Sequence, residues 1–426
     1  MFPLKGPQAA AFGQMNANGV DLGRHEIGLG TRALGEEGSA AHVRRIAVAM
    51  CDDSEDPTRA ARHLVDDVGV PAVVGFRSGQ EVVDVAGGLL IKKSVLTIAS
   101  LSASPLITKL PQPSPSPRMV WRTTYGLQAL AAPVAAFVQP ATARVGRASS
   151  VPMRLVLARS KNASVDAFAE ALFTVLSFNG KSALANGRDY AELVVEDDPT
   201  PERVGAIAAE IDALAPSVVI TLLPADSEAS IARAIDERWT STSRPRPVFL
   251  AVNESTSVFD SYIGASAERR RRVFGVESVS ETAENARFVF RYNAAYAPPV
   301  TRLFNPSTSY DAFYLAAFAT FALGSETPSG TAIAQSFARL IGPGAAIDVG
   351  PAGVLDAVSA LAAGARIDLR GSATSLDFDL ATGEPKVDFV LVCPDIDDKG
   401  LASGDVDTGL LFRSSARTLT GQLRCP

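Results

Sequence analysis

Two serine-containing turns are the residues of this sequence best suited to hold an anion. Ser78 and Gly79 follow the apolar run Val70–Val74, and Leu101-Ser102-Ala103-Ser104 follows the run Val95–Ala99. The free N–H groups at the start of the helix that Ser78 and Gly79 would open are donors that suit an anion. Each serine taken alone fits an ordinary turn equally well. Two such turns on neighbouring strands favour a binding site.

The elements around these turns form a strand–helix–strand unit. Val70–Val74 and Val95–Ala99 are predicted buried strands, and Glu81–Ile91 carries apolar residues at helical spacing. This order predicts parallel strands joined by a right-handed crossover. Both turns would then lie at the carboxyl ends of neighbouring strands, where open α/β sheets bind their ligands.

Strands and helices alternate on both sides of this unit. Before it, the sequence predicts a helix ending near Ile27, a glycine-rich loop at 28–41 and a strand at Val43–Met50. A loop at 139–152 separates the unit from a second alternating series. That series predicts strands that end near residues 158, 195, 222, 252 and 276.

The last third of the chain has a different pattern. Four predicted helices lie between Ala283 and Ala363 without a strand, and Ile367–Cys393 is β-rich. Helices without their own strands must pack on an existing sheet. The sequence therefore predicts an α/β fold of two doubly wound, parallel-sheet lobes joined by a multi-crossover hinge. The predicted lobes are residues 1–138 with 283–371, and 139–282 with 372–426.

Composition excludes several classes of function. The 46 acidic residues outnumber the 40 basic ones, for a formal charge of −6, so no basic excess is available to bind nucleic acid. No apolar stretch reaches the roughly 18 residues that a transmembrane helix needs. The first five residues, Met1 to Lys5, lack the apolar segment of a secretory signal.

The sequence predicts a binding protein and not an enzyme. Its three histidines are His25 and His63, on predicted helices, and His42, in a loop-like stretch; each fits a surface or packing position. The chain has no dinucleotide or phosphate-cradling loop, no nucleophile elbow and no metal-ligand spacing. We therefore expect no cofactor and no metal.

The positions of the three cysteines allow a prediction about the cellular compartment of the protein. Cys393 and Cys425 both lie near the end of the chain and could bridge, whereas Cys51 is remote from them. We predict a Cys393–Cys425 disulfide with Cys51 unpaired. Such a bridge would indicate an oxidising compartment.

Several short segments, taken in order, cover nearly the whole chain from Pro3 to about Val392. They are Gly6–Gly13, Cys51-Asp52-Asp53, Ala60–Leu64, Val73-Val74-Gly75 with Ser78, Ile98–Thr108, Trp121-Arg122-Thr123, Ser309–Ala312, Gly371, Asp377-Phe378-Asp379 and Thr382-Gly383. In order and spacing they resemble the type I periplasmic solute-binding proteins of ABC transporters, in the branched-chain amino acid (leucine/isoleucine/valine) receptor family. No single segment is specific.

The resemblance implies two lobes joined by three crossovers that close over a ligand held between them. It implies that the turns at Ser78 and at Leu101–Ser104 hold the ligand's carboxylate. It also implies that Glu254 meets the ligand's ammonium group. The full set of implied ligand contacts is Ser78, Gly79, Leu101, Ser102, Ala103, Ser104, Tyr125, Asn162, Ala163, Ser164, Leu223, Asp226, Asn253 and Glu254.

Departures from the family pattern bear on the ligand. Leu101 and Ala103 stand where the family has a small residue and a threonine, and residues 125–128 lack the family's acidic residue. The turn Leu222–Ala225 is also more apolar than in the family. These changes favour a carboxylate or amide less polar than a standard amino acid.

The family also begins with a strand before the Pro3-Leu4 turn. This chain has no residues for that strand, so either its start is clipped or the lobe lacks a strand. We expect a clipped start, which would also account for the missing signal.

The predicted function is capture of a small molecule by a monomeric protein, for the membrane permease of an ABC importer. The alternative is a ligand-sensing receptor module that signals through a partner protein. Neighbouring permease and ATPase genes would favour the importer function, and a neighbouring kinase or cyclase gene would favour the sensing function. In either case we expect a periplasmic or extracellular protein, which a lipid could anchor through an N-terminus absent from this sequence.

Overall fold

The chain forms two compact units, each built from separate parts of the sequence. The computed structural model describes residues 6–36, 45–114, 117–144, 151–252 and 255–426. The first unit takes its residues from 3–126 and 280–387, and the second from 127–279 and 388–426, so the chain passes three times from one to the other. The predicted lobe limits at 138, 282 and 371 stay a prediction, because a lobe is defined by how it moves and not by compactness alone.

The strands contain both parallel and antiparallel pairs, and most of the parallel ones lie in one sheet per unit. In chain order they are β1 (Ala72–Gly75), β2 (Leu96–Ala99), β3 (Val120–Arg122), β4 (Leu155–Ser160), β5 (Ser177–Phe178), β6 (Lys181–Ser182), β7 (Tyr190–Val195), β8 (Val218–Leu222), β9 (Val248–Val252), β10 (Val273–Val279), β11 (Ala345–Asp348), β12 (Ile367–Arg370), β13 (Phe378–Asp379), β14 (Glu384–Pro385), β15 (Asp388–Ile396), β16 (Ala402–Arg413) and β17 (Thr418–Gly421).

The helices range from single turns to one of 31 residues. In chain order they are α1 (Gly6–Glu36), α2 (Pro57–Arg62), α3 (Gly79–Val82), α4 (Ala131–Ala143), α5 (Ala163–Val175), α6 (Pro201–Leu214), α7 (Ala225–Arg238), α8 (Asp260–Ile263), α9 (Ala267–Arg270), α10 (Ala283–Ala295), α11 (Ser307–Phe321), α12 (Gly330–Ser336) and α13 (Val354–Ala362). Two of them, α2 and α3, continue as π-helical turns over His63–Val68 and Val83–Leu90.

The sheet of the first unit has three parallel strands in the order β1-β2-β3. Gly75 pairs with Ala99, and Ala99 pairs with Arg122, so the three strands end side by side. The predicted parallel pairing of the strands on either side of Glu81–Ile91 is confirmed. The block after residue 283 belongs to this unit, with the central helix α11 buried on nearly all sides. The prediction that this block has no strand is wrong, because β11 lies between α12 and α13 and pairs with β12.

The long helix α1 differs from its prediction, because it continues past Ile27 to Glu36. Gly23 and Gly30 of this helix are packing positions. A Cβ on Gly23 would lie 2.9 Å from the ring of Phe313, and a Cβ on Gly30 would lie 2.7 Å from Val354. Close approach to α11 and α13 therefore outweighs the low helix propensity of glycine.

The strand predicted at Val43–Met50 is also wrong over its described part. Residues 45–50 form no strand, and residues 43 and 44 lie outside the described chain. Ile46 and Val48 do pack against the same core as Ala72 and Val74 of β1. These side chains are thus partly buried against the core, but within the described residues their backbone has no strand to pair with.

The second unit contains a sheet of eight strands in the order β17-β16-β15-β10-β9-β8-β4-β7. The five strands from β4 to β10 in this sheet are parallel, and β15, β16 and β17 extend it as an antiparallel meander. The sequence analysis missed β16 and β17, although the run Thr408–Phe412 carries the apolar residues that would have indicated them. With a parallel sheet in each unit, the predicted α/β class is confirmed.

A disulfide ties the end of this meander to the sheet. Cys393 of β15 and Cys425 are bonded, with their Cα atoms 6.2 Å apart. Cys51 is free and exposed. The predicted pairing of the three cysteines is therefore present.

Candidate functional site

Two turns meet at the carboxyl edge of the first unit's sheet. Turn A, Gly75–Gly79, follows β1, and turn B, Ser100–Ser104, follows β2. A Cβ placed on Gly79 would lie 2.1 Å from the Cβ of Ser104 and 2.3 Å from its Oγ. The two turns are thus in direct contact, and only glycine leaves room for Ser104 at this point.

In turn A, Ser78 is the N-cap of α3. Its Oγ accepts a hydrogen bond of 3.1 Å from the N–H of Glu81, and the Glu81 carboxylate accepts bonds from the N–H groups of Arg77 (3.0 Å) and Ser78 (3.4 Å). This reciprocal capping box fixes the turn. Because the Ser78 oxygen acts as an acceptor here, its hydroxyl proton is left to donate to a ligand.

Turn B offers backbone donors. Ser102 and Ser104 are buried, at 2% and 8% exposure. The Ser102 hydroxyl accepts from the N–H of Ser104 at 3.4 Å, which curls the turn. Within the described residues, the N–H groups of Leu101, Ser102 and Ala103 make no hydrogen bond. Free N–H groups at a strand end suit an anion such as a carboxylate.

Charged groups surround turn A. The Arg77 guanidinium donates to Asp53 at 3.0 Å. Burial, together with the hydrogen bond and the negative charge of Asp53, raises the pKa of Glu81 to about 7. An anionic ligand at Ser78 would meet less repulsion when Glu81 is protonated.

Sequence reasoning missed Asp53, Glu81 and Arg122 as residues that shape this edge. The spacing Ser78-Gly79-Gln80-Glu81 is a capping-box pattern ahead of an apolar run, so Glu81 could have been found. Nothing in the local sequence points to Asp53 or to the contacts of Arg122. Tyr125 follows β3 and is buried, at 7% exposure.

The second unit carries its predicted residues at the ends of β4 and β8. These strands pair in parallel, with Arg159 opposite Leu222, so the segments after them begin side by side. Asn162 caps α5, because its side chain accepts from the N–H groups of Ser164 (3.1 Å) and Val165 (3.0 Å). Ala163 is exposed and opens the same helix.

The next predicted segment divides between core and surface. Leu223 is fully buried in the apolar core of its unit, and its N–H donates to Glu228 at 3.3 Å. Its predicted contact with a ligand stays a prediction. Asp226 is exposed in the first turn of α7, where Pro224 occupies the N-cap. Asn253 and Glu254 lie outside the described residues.

Both histidines of the described residues are exposed and lie beside an aspartate. His63 is exposed and paired with Asp67 at 2.8 Å, and His25 is exposed and lies beside Asp21. Among the described residues, no three histidine, cysteine, aspartate or glutamate side chains gather as a metal site. Nor does any described helix have the length and apolarity to cross a bilayer.

Comparison with known proteins identifies the fold. No protein-family model matches the sequence, and no curated protein does. Among solved structures, a leucine-binding protein LivK from Thermotoga maritima is 14% identical, with 95% of this chain and 96% of that one covered and a TM-score of 0.62.

Two further structures bind different ligands. The branched-chain amino acid transporter substrate-binding protein LivJ from Streptococcus pneumoniae, in complex with isoleucine, is 15% identical over 95% of this chain and 97% of its own, with a TM-score of 0.59. An ABC-transporter solute-binding protein from Rhodopseudomonas palustris, in complex with 3,4-dihydroxybenzoic acid, is 15% identical over 100% and 96%, with a TM-score of 0.59.

At these identities the comparison establishes the architecture. The chain has the fold of the type I periplasmic binding proteins, as the sequence predicts. Proteins of this fold that resemble it equally well bind amino acids or benzoates.

Proposed function

We propose that this protein is an extracytoplasmic solute-binding protein that captures a small carboxylate for an ABC importer. The observation that carries the proposal is the contact between turns A and B at one sheet edge. Between them they present the Ser78 hydroxyl and the N–H groups of Leu101, Ser102 and Ala103, which make no hydrogen bond within the described residues. Several donors on two adjoining turns match the two oxygens of a carboxylate.

The proposed ligand is a carboxylate less polar than a standard amino acid. An α-amino acid brings an ammonium group, which needs an acidic partner once it is removed from water. Residues 125–128, where the family has an acidic residue, are Tyr-Gly-Leu-Gln, so one of the two implied partners is missing and Glu254 would have to serve alone. We therefore place benzoate-type acids first and branched-chain amino acids second, both being ligand classes of proteins with this fold.

The proposed setting is the periplasm or the cell exterior. The Cys393–Cys425 disulfide supports an oxidising compartment. In this setting the protein acts as a monomer and delivers its ligand to a membrane permease. The ABC-transporter proteins of the same fold support that role.

A thermal-shift screen tests ligand binding. The panel is benzoate, 4-hydroxybenzoate, 3,4-dihydroxybenzoate, leucine and isoleucine, each against its carboxamide. A ligand at 100 times its Kd adds about 2.7 kcal/mol to the free energy of unfolding. We expect at least one carboxylate to raise Tm while its carboxamide does so far less. A panel without any stabilising carboxylate would contradict the proposal.

Uptake measurements test the transport role. Cells that lack the gene should lose uptake of the radiolabelled ligand, and the wild-type gene should restore it. Normal uptake alongside confirmed binding would instead favour the ligand-sensing role.

A further inference from the structure

A buried arginine lies next to turn B. Arg122 closes β3 and is 1% exposed. One terminal nitrogen donates to the carbonyl of Ser104 at 3.1 Å, and the other donates to Glu384 at 2.7 Å and to the Thr108 hydroxyl. The Thr108 hydroxyl in turn donates to the same Glu384 oxygen. The guanidinium thus joins turn B to a segment 262 residues away in sequence.

Burying a charged arginine costs free energy, which indicates that Arg122 does more than pack against its neighbours. Burial lowers the pKa of Arg122, against the opposing charge of Glu384. A buried ion pair is often no more stabilising than well-packed apolar residues of similar volume. What the planar guanidinium does supply is fixed directions for its hydrogen bonds.

The contacts of Arg122 extend to turn A through Ser104. The guanidinium fixes the Ser104 carbonyl, and the Ser104 side chain lies against Gly79. The main chain of β3 is held as well, because the N–H of Arg122 donates to the carbonyl of Gly383 at 3.1 Å. The Arg122–Glu384 pair therefore contributes to the relative position of the two turns, together with the bond of 3.0 Å from the Ser100 N–H to the Gly75 carbonyl.

We propose that Arg122 is a positioning residue for ligand binding, with Glu384 as its anchor. Resting on the proposed function, this assigns to Arg122 the task of holding turn B so that its free N–H groups converge on the ligand carboxylate. Arg122 does not itself touch the ligand. Its charge is compensated by Glu384, so it acts through position and not through attraction.

The first test is Arg122→Lys, with benzoate and leucine as probes. Lysine keeps the charge but not the planar fork, so it cannot hold Ser104 and Glu384 in the same geometry. We expect the Kd for the bound carboxylate to rise about tenfold or more, the effect of losing one charge-assisted hydrogen bond. The affinity for benzamide or leucinamide should change much less.

Arg272→Lys is the matched control. Arg272 is 3% exposed in the second unit and pairs with Asp236 at 2.7 Å. This variant should lower Tm to a similar extent and leave the Kd unchanged. Two results would overturn the inference: an equal loss of affinity in Arg122→Lys and Arg272→Lys, or an equal loss of affinity for carboxylate and amide in Arg122→Lys. Either result would mean that Arg122 contributes only to the stability of the protein.

Glu384→Gln decides between position and charge, and it keeps the inference testable should Arg122→Lys fail to fold. The Glu384 side chain is 15% exposed, and glutamine retains its shape. If Arg122 acts by position, carboxylate binding weakens in Glu384→Gln. If it acts by charge, the uncompensated guanidinium tightens carboxylate binding, and the inference is wrong.

The two proposals fail in different ways. Wild-type affinity in both Arg122→Lys and Glu384→Gln overturns the inference and leaves the proposed function intact. A wild-type protein that binds neither benzoate nor leucine, nor any other acid of the panel, overturns both.

Discussion

Gly79→Ala is the sharpest perturbation of the candidate site, because it adds one methyl group at the contact between turns A and B. The new Cβ would lie 2.1 Å from the Cβ of Ser104. Carbon atoms in contact are normally about 3.5–4.0 Å apart, so the turns must separate by more than about 1 Å. The backbone at Gly79 lies outside the left-handed region, and alanine therefore adds no backbone strain of its own.

The expected cost is moderate for folding and larger for binding. Overpacking of this kind destabilises by about 1–3 kcal/mol. A shift of about 1 Å takes a hydrogen bond of about 2.9 Å beyond bonding distance. Losing one such bond to a carboxylate costs roughly 1.5–3 kcal/mol, so the Kd should rise about 10- to 100-fold. Titration calorimetry measures the Kd, and thermal unfolding measures the stability.

Two variants control for other effects of the methyl group. A Cβ on Gly88 meets nothing within 4 Å, so Gly88→Ala should keep the wild-type Kd and stabilise its helix by about 0.5–1 kcal/mol. Adding Ser104→Gly to Gly79→Ala removes the atoms that collide, and stability should recover. Wild-type Kd and Tm in Gly79→Ala would show that turns A and B are not in contact, and the site as described would be refuted.

Three further predictions concern other residues. The pKa of Glu81 is raised from 4.5 to about 7 in the folded state, so the folded protein holds this proton more tightly than the unfolded chain. The stabilisation from this proton is therefore fully present below about pH 4.5 and is lost as the pH rises through 7. The free energy of unfolding should be about 2 kcal/mol lower at pH 8 than at pH 5. If a Glu81→Gln variant kept the same dependence of stability on pH, Glu81 would not be its cause. Replacing Cys393 and Cys425 by serine opens a loop of 32 residues and should lower the unfolding free energy in urea by up to about 4 kcal/mol, while an unchanged midpoint would mean that the bridge adds nothing. Glu254, assigned from the sequence alone, should matter only for an amine ligand: Glu254→Gln should weaken leucine about tenfold by calorimetry and leave benzoate unaffected, and the reverse pattern would remove its assignment.

The parts of the fold that local pattern specifies were predictable. The runs that became β1, β2, β8 and β9 are short, apolar and bounded by turn residues, and each forms a strand within two residues of its predicted limits. Buried parallel strands carry this pattern because both of their faces are covered. The positions of turns A and B follow directly from those strands.

The errors have a common cause in tertiary contact. Gly30 lies in a glycine-rich stretch that was predicted as a loop, but α13 requires a small residue where it crosses α1. Residues 45–50 have the alternation of a strand, but a strand also needs a neighbour to pair with, and no described segment provides one. In both places the local sequence favours one secondary structure, and contacts with elements distant in sequence determine another.

The candidate site shows the same division between local and distant information. Ser78 and Ser104 were identified because they follow strands, and nothing more than the local pattern was needed. What holds them together is not local: Gly79 leaves room for Ser104, Arg122 fixes its carbonyl, and Glu384 anchors the arginine. A sequence pattern can therefore place the donors of the candidate site, whereas the contacts that hold those donors in position depend on residues that are distant in sequence.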